Sequence, residues 1–218
     1  MNIAVLASGR GTNLQALIDA VEEGRIKARI ALVVSDVEGA FVLERAARHG
    51  IESQILYPKQ FPNRASFEQE MVRVLRSRQV DLICLAGFMR LLGPTLIENF
   101  RGRIMNIHPA LLPAFPGLHG QRQSLEYGVK LSGCTVHFVD EGVDTGPIII
   151  QAAVPVFSGD TEESLSARIL QQEHRIYPLA VQAFVEGRLK VEGRRVHFVG
   201  EDSTRSKEFL LNPLPKQG

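Results

Sequence analysis

The chain has 218 residues, 44% of them hydrophobic and 22% charged, with a formal net charge of +1 and two cysteines. That length fits one large domain able to bury a sizeable core, and the near-balance of 25 basic against 24 acidic residues argues against nucleic acid or an anionic membrane as a general partner. Two cysteines, Cys84 and Cys134, each inside an apolar run, exclude a disulfide framework and read as buried thiols in a reducing compartment.

Residues 2–6 are an apolar run that predicts a strand, with no basic region or cleavage site before it, and no uncharged apolar stretch reaches spanning length. The expected location is cytoplasmic. Ser8-Gly9-Arg10-Gly11-Thr12-Asn13 follows, then Leu14, Leu17, Ile18 and Val21 at helical spacing, so the order is strand, glycine loop, helix. The alternation continues with strands at 29–35, 51–56 and 81–86 and helices at 40–49 and 63–78. The last of these carries Phe67, Met71, Val74 and Leu75 on one face. Repeated strand-helix units predict a doubly wound, mostly parallel α/β sheet.

A short helix at 94–100 leads to a strand ending at Ile107, and Pro109 stops it. Residues 109–120 hold too many prolines and glycines for regular structure and should form an ordered loop near the active site, followed by a helical turn or two at 121–127. Strands at 133–139 and 147–157 are joined by the Asp144 loop and extend the sheet in antiparallel or mixed fashion. Asp160-Thr161-Glu162-Glu163 resembles a capping-box start for a long helix whose buried stripe is Leu165, Ile169, Ile176, Ala180 and Phe184. Residues 189–191 and 195–199 suit a hairpin around Glu192-Gly193. The expected organisation is a single domain over 1–200, with a phosphate-binding half at 1–100, a catalytic and donor-binding half at 101–200, and a flexible tail at 201–218.

The glycine loop opens a helix, so its N–H groups and the helix dipole should face an anion. A dinucleotide fingerprint would place a third glycine where Leu14 stands, although Asp36 sits near the end of the second strand; a phosphate monoester fits better. The plainer reading is a glycine turn with Thr12 as an ordinary N-cap. Period two aims Asn106 and His108 at one face, where both could donate to an oxygen that turns negative when a carbonyl is attacked. Asp144 should hold the imidazole and favour its charged form. No serine or cysteine nucleophile accompanies them, so direct attack by a substrate amine is the natural chemistry. His108, His119, His137 and Asp144 are an alternative metal set, but their spacing matches no compact metal motif. His137 also reads as a packed strand residue, and His119 as exposed or substrate-facing. Residues 88–92 suit the wall of a flat heteroaromatic site or a packed connection; Arg64 opposes a helix dipole, which a ligand carboxylate or solvation would explain; Glu173 reads as a surface acid.

With those residues in view, the chain resembles the phosphoribosylglycinamide formyltransferases, a folate-dependent formyltransferase family of purine synthesis with a Rossmann-like fold. The likeness runs from residue 1 to about 199. It rests on the 8–13 loop, Cys-Leu-Ala-Gly-Phe-Met-Arg at 84–90, Asn-Ile-His-Pro at 106–109 and Asp-Thr-Gly at 144–146. The resemblance implies formyl transfer from 10-formyltetrahydrofolate to the amine of glycinamide ribonucleotide, without a metal. It implies that Asn106 and His108 stabilise the oxyanion while Asp144 supports the histidine and proton transfer. It further implies that Gly11, Thr12 and Asn13 hold the phosphate, and Glu173 the ribose. The pterin would lie by Met89, Leu92 and the backbone of Val139, Asp140 and Glu141, with the folate glutamate near Arg64 and Arg90. Ala110 departs from the family, where serine is common, and 201–218 lies outside the likeness. A homodimer is compatible with the sequence, and no stretch demands one.

Rival readings are a hydrolase that releases formate, a methionyl-tRNA or amino-sugar formyltransferase, and a non-catalytic nucleotide- or folate-sensing module. The hydrolase usually carries a preceding regulatory domain, whereas here the first strand starts at once. The tRNA enzyme would need a basic C-terminal domain. Intact Asn106, His108 and Asp144 weigh against a non-catalytic module.

Overall fold

A computed structural model describes residues 1–200; the expected tail at 201–218 lies outside the described residues. One nine-stranded sheet runs β3-β2-β1-β4-β5-β6-β7-β9-β8. Its strands are β1 (Asn2–Leu6), β2 (Arg29–Ser35), β3 (Ser53–Ile55), β4 (Leu82–Leu85), β5 (Ile104–His108), β6 (Leu131–Phe138), β7 (Ile148–Pro155), β8 (Leu189–Glu192) and β9 (Arg195–Phe198). The first five are mutually parallel, and β6 is antiparallel to both β5 and β7. The doubly wound sheet with an antiparallel extension is therefore as expected. β8 and β9 form the hairpin, which meets β7 through the pair Ile148 and Arg195.

Helices cover both faces because the parallel strands are apolar on both sides. Leu14, Leu17 and Ile18 of α1 (Thr12–Glu22), Val42 and Ala46 of α2 (Phe41–Arg48) and Leu165, Ile169 and Ile176 of α6 (Glu162–Val185) share one core with Ile3 and Val5. On the other face Phe67, Met71 and Leu75 of α3 (Arg64–Ser77) and Leu96 and Ile97 of α4 (Pro94–Asn99) pack on Ala4 and Leu6. Leu125 of α5 (Gly120–Tyr127) packs against the first core. The chain thus switches faces between β1 and β4. Ligands of open α/β sheets bind in the crevice that forms at such a point.

Several local expectations shift by a residue or two. Asn63 is the cap of α3, its Oδ1 accepting from Ser66 N at 2.9 Å, rather than the first helical residue. The capping box of α6 pairs Thr161 with Ser164, while the Asp160 carboxylate takes Arg168, the Phe157 N–H and the Ser164 hydroxyl. On the same helix Tyr177 is fully buried, and its hydroxyl faces the Leu85 and Met105 carbonyls at 2.9 and 3.1 Å, docking α6 on the end of β4 and the start of β5. No helix among the described residues is long and apolar enough to cross a membrane.

Candidate active site

β5 ends in the middle of the sheet, with β4 parallel on one side and β6 antiparallel on the other. Its register sets Asn106 opposite His137 and His108 opposite Thr135. The β6–β7 loop then returns Asp144 over that strand tip, in a left-handed conformation with φ 53°. Asp144 Oδ2 lies 3.3 Å from His108 Nδ1 and accepts from Gly117 N at 2.7 Å; Asp144 Oδ1 accepts from Asn106 Nδ2 at 3.4 Å and lies 3.5 Å from His137 Nε2. The three residues expected to converge do so, and His137 joins them.

His137, like His119, is a residue whose role the sequence leaves open. Its Nδ1 donates to the Phe138 carbonyl at 2.8 Å, which leaves Nε2 to accept from Asn106 Nδ2 at 3.2 Å and orients the amide. The only advance signal was its alternation with Thr135 on one strand face. Thr135 Oγ1 donates to the Ala110 carbonyl and accepts from Leu112 N, fastening the 109–120 loop that brings Phe115 and Gly117 to the site. That loop is ordered and borders the site, as expected. Ala110 is fully buried. His119 is exposed at the N-terminus of α5 with φ 62°, apart from the cluster's hydrogen bonds. Among the described residues no group of three or more His, Cys, Asp or Glu side chains is disposed to hold a metal.

Asp144 favours the charged form of His108, as expected, but burial decides the balance. Burial, which leaves His108 only 4% exposed, pulls its pKa below the usual imidazole value, and Asp144 and the Phe115 carbonyl restore only part of the loss. His108 therefore rests neutral rather than charged. Both ring nitrogens nevertheless face acceptors, Nδ1 toward Asp144 and Nε2 toward Phe115 O at 2.8 Å, so an arriving proton would find two partners. Burial also raises the Asp144 pKa, but the His137 ring beside it, the hydrogen bond from Gly117 N and the nearby His108 ring outweigh it, and the net direction is down.

Both groups bind fewer protons folded than unfolded, so stability present above their ordinary pKa values is lost as pH falls, first through the imidazole range and then through the carboxylate range. Melting temperature should drop between about pH 7.5 and 5.5. His174 shifts in the same direction, so the His108 share is read against His108→Gln, whose slope should be shallower. An unchanged slope would remove His108 from the account.

The glycine loop is built for an open helix end. Gly11, not Thr12, is the N-cap of α1; it has φ 70° and offers no side-chain cap, so the first amides of the helix are left for a ligand. A Cβ at Gly11 would fall 2.7 Å from Val42 Cγ2. Leu14, where a fingerprint would need glycine, is fully buried in the core. Glu173 corrects an expectation: it is 7% exposed, not a surface acid, because α6 packs on α1. Its Oε2 accepts from Asn13 Nδ2 at 2.8 Å, burial raises its pKa, and Asn13 Oδ1 has no partner among the described residues.

At the ends of β2 and β4 lies a cavity of about 680 Å³ lined by Arg64, Phe67, Met89, Arg90, Leu92 and Asp36 among others, all before residue 100. Arg64 donates to Glu68 Oε1 at 3.1 Å and to the Leu91 carbonyl at 2.7 Å, so a helix neighbour and the loop account for its place at the start of α3. Met89 is largely exposed, and Leu92 and Val139 pack against the α3–α4 core. Val139, Asp140 and Glu141 do not line this cavity: the Asp140 carboxylate accepts from Gly142 N and Thr145 Oγ1, and Glu141 pairs with Arg101. Cys84 and Cys134 are both buried, and burial pushes each thiol up to about 12, which makes them poor nucleophiles.

Residues 1–181 match the formyl transferase family. The phosphoribosylglycinamide formyltransferase of Escherichia coli (strain K12) is 47% identical over 191 residues, 88% of this chain and 90% of that protein. The trifunctional purine biosynthetic protein adenosine-3 of Drosophila pseudoobscura pseudoobscura is 52% identical over 190 residues, and this chain spans 14% of its length. Among solved structures, glycinamide ribonucleotide transformylase 1 from Symbiobacterium toebii is 56% identical, with a TM-score of 0.90 over 91% of this chain and 93% of that one.

Proposed function

Since the chain belongs to the formyl transferase family, we propose that it transfers the formyl group of 10-formyltetrahydrofolate to the amine of glycinamide ribonucleotide, a step of purine biosynthesis. The observation that carries the chemistry is the convergence of the Asn106 amide and the His108 imidazole on Asp144, within 3.4 Å, at the end of β5. The amine attacks the formyl carbon directly, the carbonyl oxygen becomes an oxyanion, and the carbon–nitrogen bond to the folate then breaks. A proton leaves the attacking amine and another reaches the departing nitrogen.

Asn106 Nδ2 has two hydrogens; His137 and Asp144 draw on one side of the group, and the other hydrogen serves the oxyanion. His108 Nε2 is bonded to Phe115 O in the free protein and must exchange that acceptor for the oxyanion when substrates bind. Asp144 carries the charge that stabilises His108 once it is protonated. Gly11, Thr12 and Asn13 receive the phosphate of the acceptor, with Glu173 at its ribose. Met89 and Leu92, with the backbone of Val139, Asp140 and Glu141, hold the pterin, and Arg64 and Arg90 meet the acidic tail of the donor. The substrates are small molecules, and the proposed compartment is the cytoplasm.

The test is a formyl-transfer assay of the purified chain with 10-formyltetrahydrofolate and, in parallel, glycinamide ribonucleotide, water or tRNA as acceptor. Formylated ribonucleotide should form without added metal and despite a chelator. Formate release at the same rate without the ribonucleotide would make the protein a hydrolase. Activity abolished by the chelator and restored by zinc would overturn the metal-free chemistry.

A further inference from the structure

Asp36 stands at the end of β2, where dinucleotide-binding folds keep an acid for a ribose, yet both of its oxygens are spent elsewhere. Ser8 Oγ donates to Oδ1 at 2.6 Å, and Arg90 Nε donates to Oδ2 at 2.8 Å. The carboxylate is only 9% exposed, whereas Arg90 is 46% exposed, so the buried acid holds the mobile cation rather than the reverse. Ser8 completes the junction: its Oγ accepts from Met89 N at 3.0 Å, and its own N–H donates to the Gly87 carbonyl at 3.0 Å. The glycine loop after β1 and the loop after β4 are thereby stitched together across the crevice where the sheet changes sides.

We propose that Asp36, braced by Ser8, is a positioning residue that presents Arg90 to a carboxylate of the donor. Asp36 grips the guanidinium by its Nε edge, and Arg90 forms no other hydrogen bond among the described residues; its remaining contact is with the Phe67 ring at 5.9 Å. A fork held by one edge keeps its two Nη groups in one plane for bidentate pairing with a carboxylate. Freed of Asp36, a long side chain on an exposed loop would spread over its rotamers and lose that preorganisation.

The inference rests on the donor reading of the cavity, and the experiment separates the two. Binding of a non-transferable folate analogue with its glutamate tail, and of the same pteridine lacking the tail, is measured by calorimetry for wild type, Asp36→Ala, Arg90→Ala and the double variant. Asp36→Ala should weaken the tailed analogue about ten-fold, as for a lost charge-assisted hydrogen bond. It should leave the tail-less pteridine and the KM for the ribonucleotide unchanged, and add nothing in the Arg90→Ala background. Should Asp36→Ala fail to fold, Asp36→Asn keeps an acceptor for Ser8 while facing Arg90 with an amide N–H, and the same pattern is expected. Unchanged or tighter binding of the tailed analogue, or additivity with Arg90→Ala, overturns the positioning role. Failure of the wild type to bind either compound overturns the donor reading and the inference with it.

Discussion

Replacing Asn106 with alanine should lower kcat about a hundred-fold or more, the usual consequence of deleting one oxyanion donor, worth ~3 kcal/mol of barrier. The KM values should move little, because the lost bond forms only when the carbonyl oxygen becomes charged. Folding should be nearly untouched. Asn106 is only half-buried, and its removal strips one donor from His137 Nε2, costing about 1 kcal/mol, or roughly 2–4 °C in Tm for a chain of this size. Asn106→Asp is the sharper comparison. It keeps the shape but sets a second carboxylate 3.4 Å from Asp144 and replaces a donor with an acceptor, so it should be at least as inactive as alanine. A wild-type kcat in either variant, or a loss of activity matched by unfolding, would remove Asn106 from the chemistry.

Gly146→Ala should be as damaging for a steric reason. A Cβ there would lie 1.8 Å from the Phe138 carbonyl oxygen and 2.8 Å from its carbon. Both atoms belong to the backbone of β6, where Phe138 N donates to the Pro147 carbonyl at 2.9 Å and Val139 N to that of Ile104 at 2.9 Å. The strand is held from both sides and the loop must yield. That would move Asp144, two residues away, by about an ångström, enough to cost on the order of a hundred-fold in turnover. Stability should fall by ~1–3 kcal/mol, as for overpacking elsewhere. Activity and melting temperature measured together check this: a fully active Gly146→Ala would mean that the loop has slack and that the position of Asp144 is not tightly set.

The local grammar of the chain was legible from one dimension. The strand-loop-helix opening, the buried stripes of α3 and α6, the break at Pro109 and the turn at Gly193 follow from periodicity and backbone chemistry, both of which act over a few residues. Asn106 and His108 could be paired for the same reason, since alternation along a single strand requires no tertiary information. Asp144 could be placed beside them because it sits in a glycine-rich loop after a strand. Glu173 was misread because helical spacing reports the apolar stripe of α6 and not the packing of α1, which covers a charged position as well. Arg64 looked like an anomaly at a helix start until Glu68 and the Leu91 carbonyl accounted for it.

By itself, then, the sequence determined the order of elements, the doubly wound class and the identity of the amide, imidazole and carboxylate, because these depend on neighbours within a turn or a strand. The tertiary structure alone decided that His137 orients Asn106, that Asp36 is spent on Ser8 and Arg90, and that His108 rests neutral. The first two rest on three contacts that join positions 31, 28 and 54 residues apart, through a strand register and a crevice that no local pattern encodes. The third is a matter of dielectric: a charged neighbour can be read from the chain, but the depth of burial that outweighs it exists only once the sheet and its loops have closed around the ring.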